Sequence, residues 1–441
     1  MSFKRKLLVV ALASVLPMVS AHAQSAADLQ KEISALKAQL QALQSKVEAL
    51  GAKSEATVSP QQVSKIELRL DQADDEAEKS GFKGIKINGV LEASYKYNDL
   101  EQSHTFGTSA GYADEFAMVQ ITKESQDGQG VDWTLRLLPG SNTYSHVHEA
   151  SVSVPLDKEN RLIGGLIPDF QGYEWSFANA NPTLGNQLLT HNALFDLAGA
   201  TTYAGLGMSH NFGGSTYALK WLIGNVDPAN DSLVLPAVTN SKKSTGLAYR
   251  ADWFINEYAF VGLSGAHGQG NREFNIMAID GGYVRGDWAF NGHLNFGDQT
   301  GAAANGGNAS WKGISGLVGY KLTPRLQLLA RADFIENRSN GGGTYAYNGG
   351  LDSTDVDGNP VYNDTATGLG PERDANGAQI DPNVGANVSR LTLGTNYQIN
   401  ANTQWKLEYR LDQSTGYNFL DADGNWKNKK NSFGTGIVVS F

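Results

Sequence analysis

The sequence predicts an all-β fold, a 16-stranded antiparallel transmembrane β-barrel preceded by a short N-terminal α-helical coiled coil. Three observations predict it. From Gly84 onward apolar and polar residues alternate with period two, as in a sheet with one oily and one wet face. The connections between these segments alternate short with mostly long, 139–145 and 268–272 being small outer loops. The last segment stays in strand register to the final residue, with Phe433, Thr435, Ile437, Val439 and Phe441 on one side and Gly434, Gly436, Val438 and Ser440 on the other.

Residues 1–23 read as a signal peptide. Lys4, Arg5 and Lys6 form its basic start, Leu7 to Val19 an apolar core interrupted by Pro17, and Ala21-His22-Ala23 a small-x-small cleavage site. That core falls short of the roughly 20 residues needed to span a bilayer, and no later segment is long and apolar enough to be a transmembrane helix. Composition fits a barrel: 41% hydrophobic and 10% aromatic residues with 50 glycines, because half of each strand meets water and turns use glycine. No cysteine is present to form a disulfide, and a net charge of −10 argues against nucleic acid as a partner.

Residues 24–52 carry a heptad run, in which Leu29, Ile33, Leu36, Leu40, Leu43, Val47 and Leu50 follow in steps of four and three. Ile33, Leu40 and Val47 take the a positions and the leucines at 29, 36, 43 and 50 the d positions, while Glu32 at g reaches Lys37 at e of a neighbour. Helices this short need partners, so these residues are the expected oligomerisation surface, with two or three strands left open. Residues 53–83 read as a polar periplasmic linker with a weaker helical pattern at Val63, Ile66, Leu70 and Ala73.

The barrel is expected over 84–441. Its first strand places Ile85, Ile87, Leu91, Ala93, Tyr95 and Tyr97 outward and Lys86, Asn88, Glu92, Ser94 and Lys96 inward. Clear alternation returns at 131–137, 217–223, 245–253, 288–296, 326–334, 391–399 and 405–411, and weaker alternation at 115–123, 146–154, 160–167, 202–211, 258–267, 273–285 and 312–322. Every second connection is short, as at Gly213-Gly214, Ile255-Asn256 and Thr323-Pro324, whereas 98–114, 168–201, 225–244, 335–388 and 413–432 are long. Short periplasmic turns alternating with long outer loops require both barrel ends in the periplasm and an even strand count. Trp133, Trp288 and Trp405 begin upward strands while Trp253, Tyr320 and Phe441 end downward ones, which forms the periplasmic half of an aromatic girdle.

Glu149-Ala150-Ser151-Val152, Gly164-Gly165-Leu166-Ile167-Pro168, Glu174 and the 188–197 stretch resemble the corresponding part of the phosphate-selective and related coiled-coil-bearing trimeric porins of the Gram-negative outer membrane. The resemblance implies a homotrimer with one pore per subunit and a long constriction loop. Ser151 departs from an aromatic position of that class, and no dense arginine ladder for phosphate is evident. Phe441 similarly resembles the C-terminal assembly signal read by the barrel-assembly machinery.

Strand parity turns Lys86, Lys96, Arg136, Arg161, Lys220, Arg250, Arg325, Arg331, Arg390, Lys406 and Arg410 inward as pore-lining bases. Glu92, Asp132, Glu149, Asp252, Asp287, Asp333, Glu408 and Asp412 oppose them. A narrow low-dielectric wall would focus the field of mid-strand Arg136, Arg250, Arg331 and Arg410 on passing anions. The 168–201 connection reads as the constriction loop, with Asp169, Tyr173, Glu174, Trp175, His191 and Asp196 as its working residues.

Asp355-Val-Asp357-Gly-Asn359, Asp374-Ala-Asn376-Gly and Asp421-Ala-Asp423-Gly-Asn425 lack the closing Glu of a calcium loop and read as Asp/Asn-Gly turns. No nucleophile elbow, zinc motif or phosphate loop appears. The expected protein is therefore not an enzyme and uses no cofactor or metal. It is a porin passing small polar solutes, with carboxylates or phosphate as candidate cargo and lipid and lipopolysaccharide as surroundings. The alternative is an adhesin or structural protein whose barrel anchors the periplasmic coil.

Overall fold

The computed structural model describes residues 84–100, 102–107, 117–125, 130–137, 147–174, 187–198, 202–226, 245–269, 273–344, 353–354, 360–361 and 367–441. The expected signal peptide, coiled coil and linker lie outside the described residues.

Gly84–Phe441 is one compact unit built as an up-and-down meander. Strand β1 (Ile85–Asn98) turns back into β2, which comes in two pieces, Ser103–Gly107 and Ala117–Lys123, both paired with β1. Then follow β3 (Asp132–Leu137), β4 (Val147–Pro155) and β5 (Asn160–Pro168), the short helix α1 (Ala193–Ala198), and β6 (Thr202–Phe212). The meander continues through β7 (Tyr217–Asn225), β8 (Thr245–Asn256), β9 (Ala259–Gln269), β10 (Glu273–Arg285) and β11 (Trp288–Gln299). It ends with β12 (Ala309–Lys321), β13 (Leu326–Glu336), β14 (Val388–Asn400), β15 (Thr403–Ser414) and β16 (Lys429–Ser440). Successive strands pair antiparallel, and β16 pairs back with β1 from Val90↔Ser440 to Asn98↔Ser432, which closes a 16-strand barrel.

Each of the sixteen barrel strands overlaps a segment that alternates in the sequence. Three connections read as plain loops hold short strand pieces: 335–388 contains the pair Ser353–Thr354 and Pro360–Val361, 413–432 the pair Phe419–Leu420 and Trp426–Lys427, and 98–114 the first piece of β2. Its five residues, Ser103 to Gly107, are too few to stand out from a polar loop by periodicity. Tyr95 and His104 hold the hairpin together, with the phenol 2.7 Å from the imidazole Nδ1. Arg325 and Asp287, placed by parity on the wall, sit in the turns 322–325 and 286–287.

Phe441 closes the seam. Its N–H donates to the Gly89 carbonyl at 3.1 Å and its carbonyl accepts the Gly89 N–H at 2.9 Å. A β-carbon at Gly89 would fall 2.6 Å from the Phe441 ring, so the close approach of first and last strands depends on glycine there.

The two faces of the sheet differ as alternation requires. Outward residues such as Leu91, Leu206, Ile223, Ile314, Leu391 and Ile437 are exposed apolar side chains. Trp253, Trp288, Trp405 and Phe441 are also exposed, all near the short-turn end, with Trp288 packed 4.6 Å from Tyr320. At the other end the long connections interlock. Ala304 N–H donates to the Gly342 carbonyl at 3.0 Å, Tyr417 N–H to the Arg373 carbonyl at 3.0 Å, and the Arg373 guanidinium lies 4.7 Å from the Trp426 ring.

Candidate functional site: the internal loop and the lumen wall

After β5 ends at Pro168, the described residues of the connection to β6, 169–174 and 187–198, fold against inward-facing side chains. Its first part runs along β6 to β12. Asp169 accepts the Tyr203 hydroxyl proton at 2.7 Å, Phe170 offers its carbonyl to Arg250 at 2.7 Å, and Gln171 accepts from the Asn295 amide at 3.0 Å. The Tyr173 hydroxyl meets Ser315 at 3.0 Å.

The second part is fixed to β13, β14 and β15 by buried charge. Glu408 accepts the backbone N–H groups of Leu189 (2.8 Å) and Thr190 (3.1 Å) and also the Thr190 hydroxyl. Arg331 donates to the Glu174 carboxylate at 2.8 Å and to the Thr190 and His191 carbonyls at 2.8 and 2.5 Å. Arg390 bridges Asp412 and the loop's Asp196, each at 2.7 Å, and reaches the His191 carbonyl at 3.0 Å. Asp333 accepts the N–H of Ala193, the first residue of α1, at 3.0 Å. Charge-assisted bonds of this kind are stronger than neutral ones, and here they satisfy loop backbone groups that have no secondary structure of their own.

Shape supports the same attachment. Leu194 fills the space left by inward-facing Gly313, where a β-carbon would lie 2.0 Å from a Leu194 methyl. Around it, inward-facing Leu222, Phe274, Ile276, Trp311, Ile335 and Val388 form one buried apolar cluster with Phe170, Ala193 and Leu194 of the loop. Reading every inward position as wet missed this cluster. Its signal was present in the sequence as large apolar residues of the inward parity, such as Leu222, Ile276, Trp311 and Ile335.

The inward bases therefore divide. Arg331, Arg390 and Lys406 are buried beneath the loop, with Lys406 3.4 Å from the Leu188 carbonyl, and do not line open space. Arg410 pairs with Asp412 at 3.0 Å. On β1 to β5 the wall is partly exposed and laced sideways: Arg136 holds Gln120 and Glu149, and Arg161 holds Asp132 and Ser153. Arg250 is shared by Asp252 and Asp280 at 2.7 and 2.8 Å. Lys96 faces inward on β1, half-buried, whereas Lys86 pairs with Glu124 at 2.5 Å on the exposed short-turn rim. Lys220 on β7 is half-buried over the Phe170 ring, 4.1 Å from its centre.

Among the loop residues, Tyr173, Glu174, His191 and Asp196 come together around Arg331 and Arg390, while Asp169 lies against β6; Trp175 falls outside the described residues. Burial pushes the Glu174 carboxyl above its ordinary value, and Arg331 pulls only part of that back. Burial opposes ionisation of Asp196 as well. There His191, Arg390 and Arg410 more than compensate, holding the carboxyl well below the usual range. His191 stacks on Phe195 at 4.1 Å, its Nδ1 3.5 Å from Asp196.

In the outer loops Asp421 accepts the N–H groups of Asp423 (3.0 Å) and Asn425 (2.7 Å), and Asp374 those of Asn376 (2.9 Å) and Ala378 (3.0 Å). These are Asp turns, with the carboxylate engaged by its own backbone. The Asn425 N–H is the main reason the Asp421 carboxyl lies below its ordinary value. The 355–359 motif lies outside the described residues.

The sequence pattern of the family DUF3138, described as proteins of unknown function, matches residues 111–249 and 256–441. The chain belongs to that family. No curated protein sequence matches it. Its fold is similar to solved outer-membrane barrels at low identity. A loop-deletion form of OmpT, an outer membrane protein of Vibrio cholerae, aligns at TM-score 0.51 and 12% identity, covering 81% of this chain and 99% of that one. The anion-selective porin from Comamonas acidovorans aligns at TM-score 0.51 and 9% identity over 81% and 99%. OprB of Pseudomonas putida aligns at 0.50 and 10% over 83% and 96%. At these identities the likeness is one of fold.

Proposed function

We propose that this protein is an outer-membrane porin that lets small polar solutes diffuse down their gradients, with a weak preference for anions. The observation that carries the reading is the pairing of a closed barrel, apolar outside and polar inside, with a long loop fixed to one side of its inner wall. Such a loop would narrow the lumen, and the wall opposite carries partly exposed charged side chains. The anion preference rests on a narrow balance. Partly exposed Lys96, Arg136, Arg161, Lys220, Arg250 and Arg410 face Asp132, Glu149, Asp169, Asp196 and Asp252. Burial of Arg331 and Arg390 by the loop makes the margin smaller than strand parity implies.

The same reading places the short turns in the periplasm, the apolar exterior in lipid beneath lipopolysaccharide, and three copies side by side. The heptad helix ties them together, and Phe441 serves as the assembly signal. The membership of the phosphate-selective class that the sequence resembles is part of this proposal only as far as trimer and anion are concerned. Purified protein in a planar bilayer tests it. Stepwise conductance with a reversal potential displaced toward chloride across a potassium chloride gradient is expected. Absence of conductance would contradict the porin reading, and a displacement toward potassium would contradict the anion preference alone.

A further inference from the structure

On the short-turn side of the loop lies a cavity of about 400 Å³ lined by Lys220, Phe170, Tyr173, Phe260, Asn291 and the Arg250–Asp252 pair. That volume is within the ordinary range for small-molecule sites, which combine aromatic walls with a few placed polar groups. The charges around it are unequally engaged. Asp252 and the neighbouring Asp280 are both held by Arg250, the lining Glu174 is held by Arg331, and Asp169 accepts the Tyr203 hydroxyl and the Gln171 N–H. Lys220 differs. Its ammonium, with three N–H donors, makes no ion pair or hydrogen bond to the described residues and rests on the face of Phe170. Its β-strand partner is Arg250, so the neighbouring position supplies a second cation and no competing carboxylate of its own.

We propose that Lys220 is a docking point for the carboxylate of a small aromatic acid, whose ring lies against Phe260 and Tyr173. The inference rests on the porin reading and adds to it a residue and a solute class. The ammonium supplies the charge-assisted bond that a carboxylate accepts. Phe260 and Tyr173, both half-buried, offer apolar surface at the same cavity. Asn291 adds an amide donor. An aliphatic acid of the same charge would lose the ring contact, and an uncharged aromatic would lose Lys220.

Benzoate, acetate and benzyl alcohol, added separately to the full chain in a planar bilayer, test this. Benzoate should reduce the chloride current in a saturable way, at concentrations at least tenfold below any effect of acetate or benzyl alcohol. Lys220→Gln should conduct potassium chloride but lose the benzoate effect, and Phe260→Leu should weaken it several-fold while leaving the response to acetate unchanged. An unchanged benzoate effect in Lys220→Gln, or an equal effect of benzyl alcohol, would overturn the inference while the porin reading stands. A chain that conducts with no response to benzoate would do the same. No conductance at all would remove the porin reading, and this inference with it.

Discussion

The two sides of the barrel share one sequence pattern and have become different materials. On β1 to β5 the inward charges are partly exposed, and each arginine is tied to neighbours on adjacent strands, as Arg136 is to Gln120 and Glu149. On β11 to β15 the loop covers the wall, and Arg331, Asp333, Arg390, Lys406 and Asp412 are buried almost completely. Alternation fixes which way a side chain points. Whether it meets water depends on what is folded against it. An inward arginine on the covered side holds the loop, whereas one on the open side borders the barrel interior.

That contrast sets the order of expected effects. Arg331→Ala should be the most damaging, because it leaves Glu174 and Asp333 buried without their partner. Breaking a buried pair from one side costs about 3–5 kcal/mol. The expected result is a loosened loop, seen as larger and noisier single-channel conductance with the barrel still heat-resistant on a gel. Unchanged conductance would mean that the loop is held mainly by its apolar contacts.

Acidity should act on the covered side next. The Asp196 carboxyl lies below its unfolded value, so its contribution is present above the ordinary carboxylate pKa of about 3.9 and is lost as pH falls below it. Glu174 has the opposite sign. Its contribution is complete below the ordinary glutamate value of about 4.3 and is lost as pH rises through its raised folded value. Mild acid should therefore protonate Glu174 without loosening the loop, with loosening only below about pH 4. Asp196→Asn should show the loosened level at every pH. A transition near neutrality in the native chain, retained in Asp196→Asn, would point to another group.

Arg136→Ala on the open side should have the smallest effect on stability, about 0–1 kcal/mol, as for partly solvated ion pairs. It should still move the reversal potential slightly toward cations. A stability loss as large as that of Arg331→Ala would erase the contrast between the two sides.

Much of the barrel was legible because its cause is local. Each strand's alternation is written in its own residues, and the short turns at Gly213-Gly214 and Thr323-Pro324 mark the ends. The split of β2 was not, since Ser103 to Gly107 gain strand geometry only by pairing with β1. The site was half legible. Glu174, His191 and Asp196 stood out by type and by the length of their loop. Their partners Arg331 and Arg390 are more than a hundred residues away in sequence, and nothing local to an inward arginine says that a loop will cover it. Lys220 carried no local mark either, because the engagement of its neighbouring carboxylates by Arg250 and Tyr203 is a property of the folded wall.

Covering of one wall and exposure of the other is tested most directly by thiol labelling, since the chain contains no cysteine. Ser151 on β4 faces inward on the open side, half-buried, and Ser315 on β12 faces inward beneath Tyr173 at 1% exposure. Each is changed to cysteine in turn, and a charged, water-soluble methanethiosulfonate is applied during bilayer recording. Ser151→Cys should react and shift conductance within minutes, while Ser315→Cys should remain unmodified. Equal reaction at both positions would contradict the account.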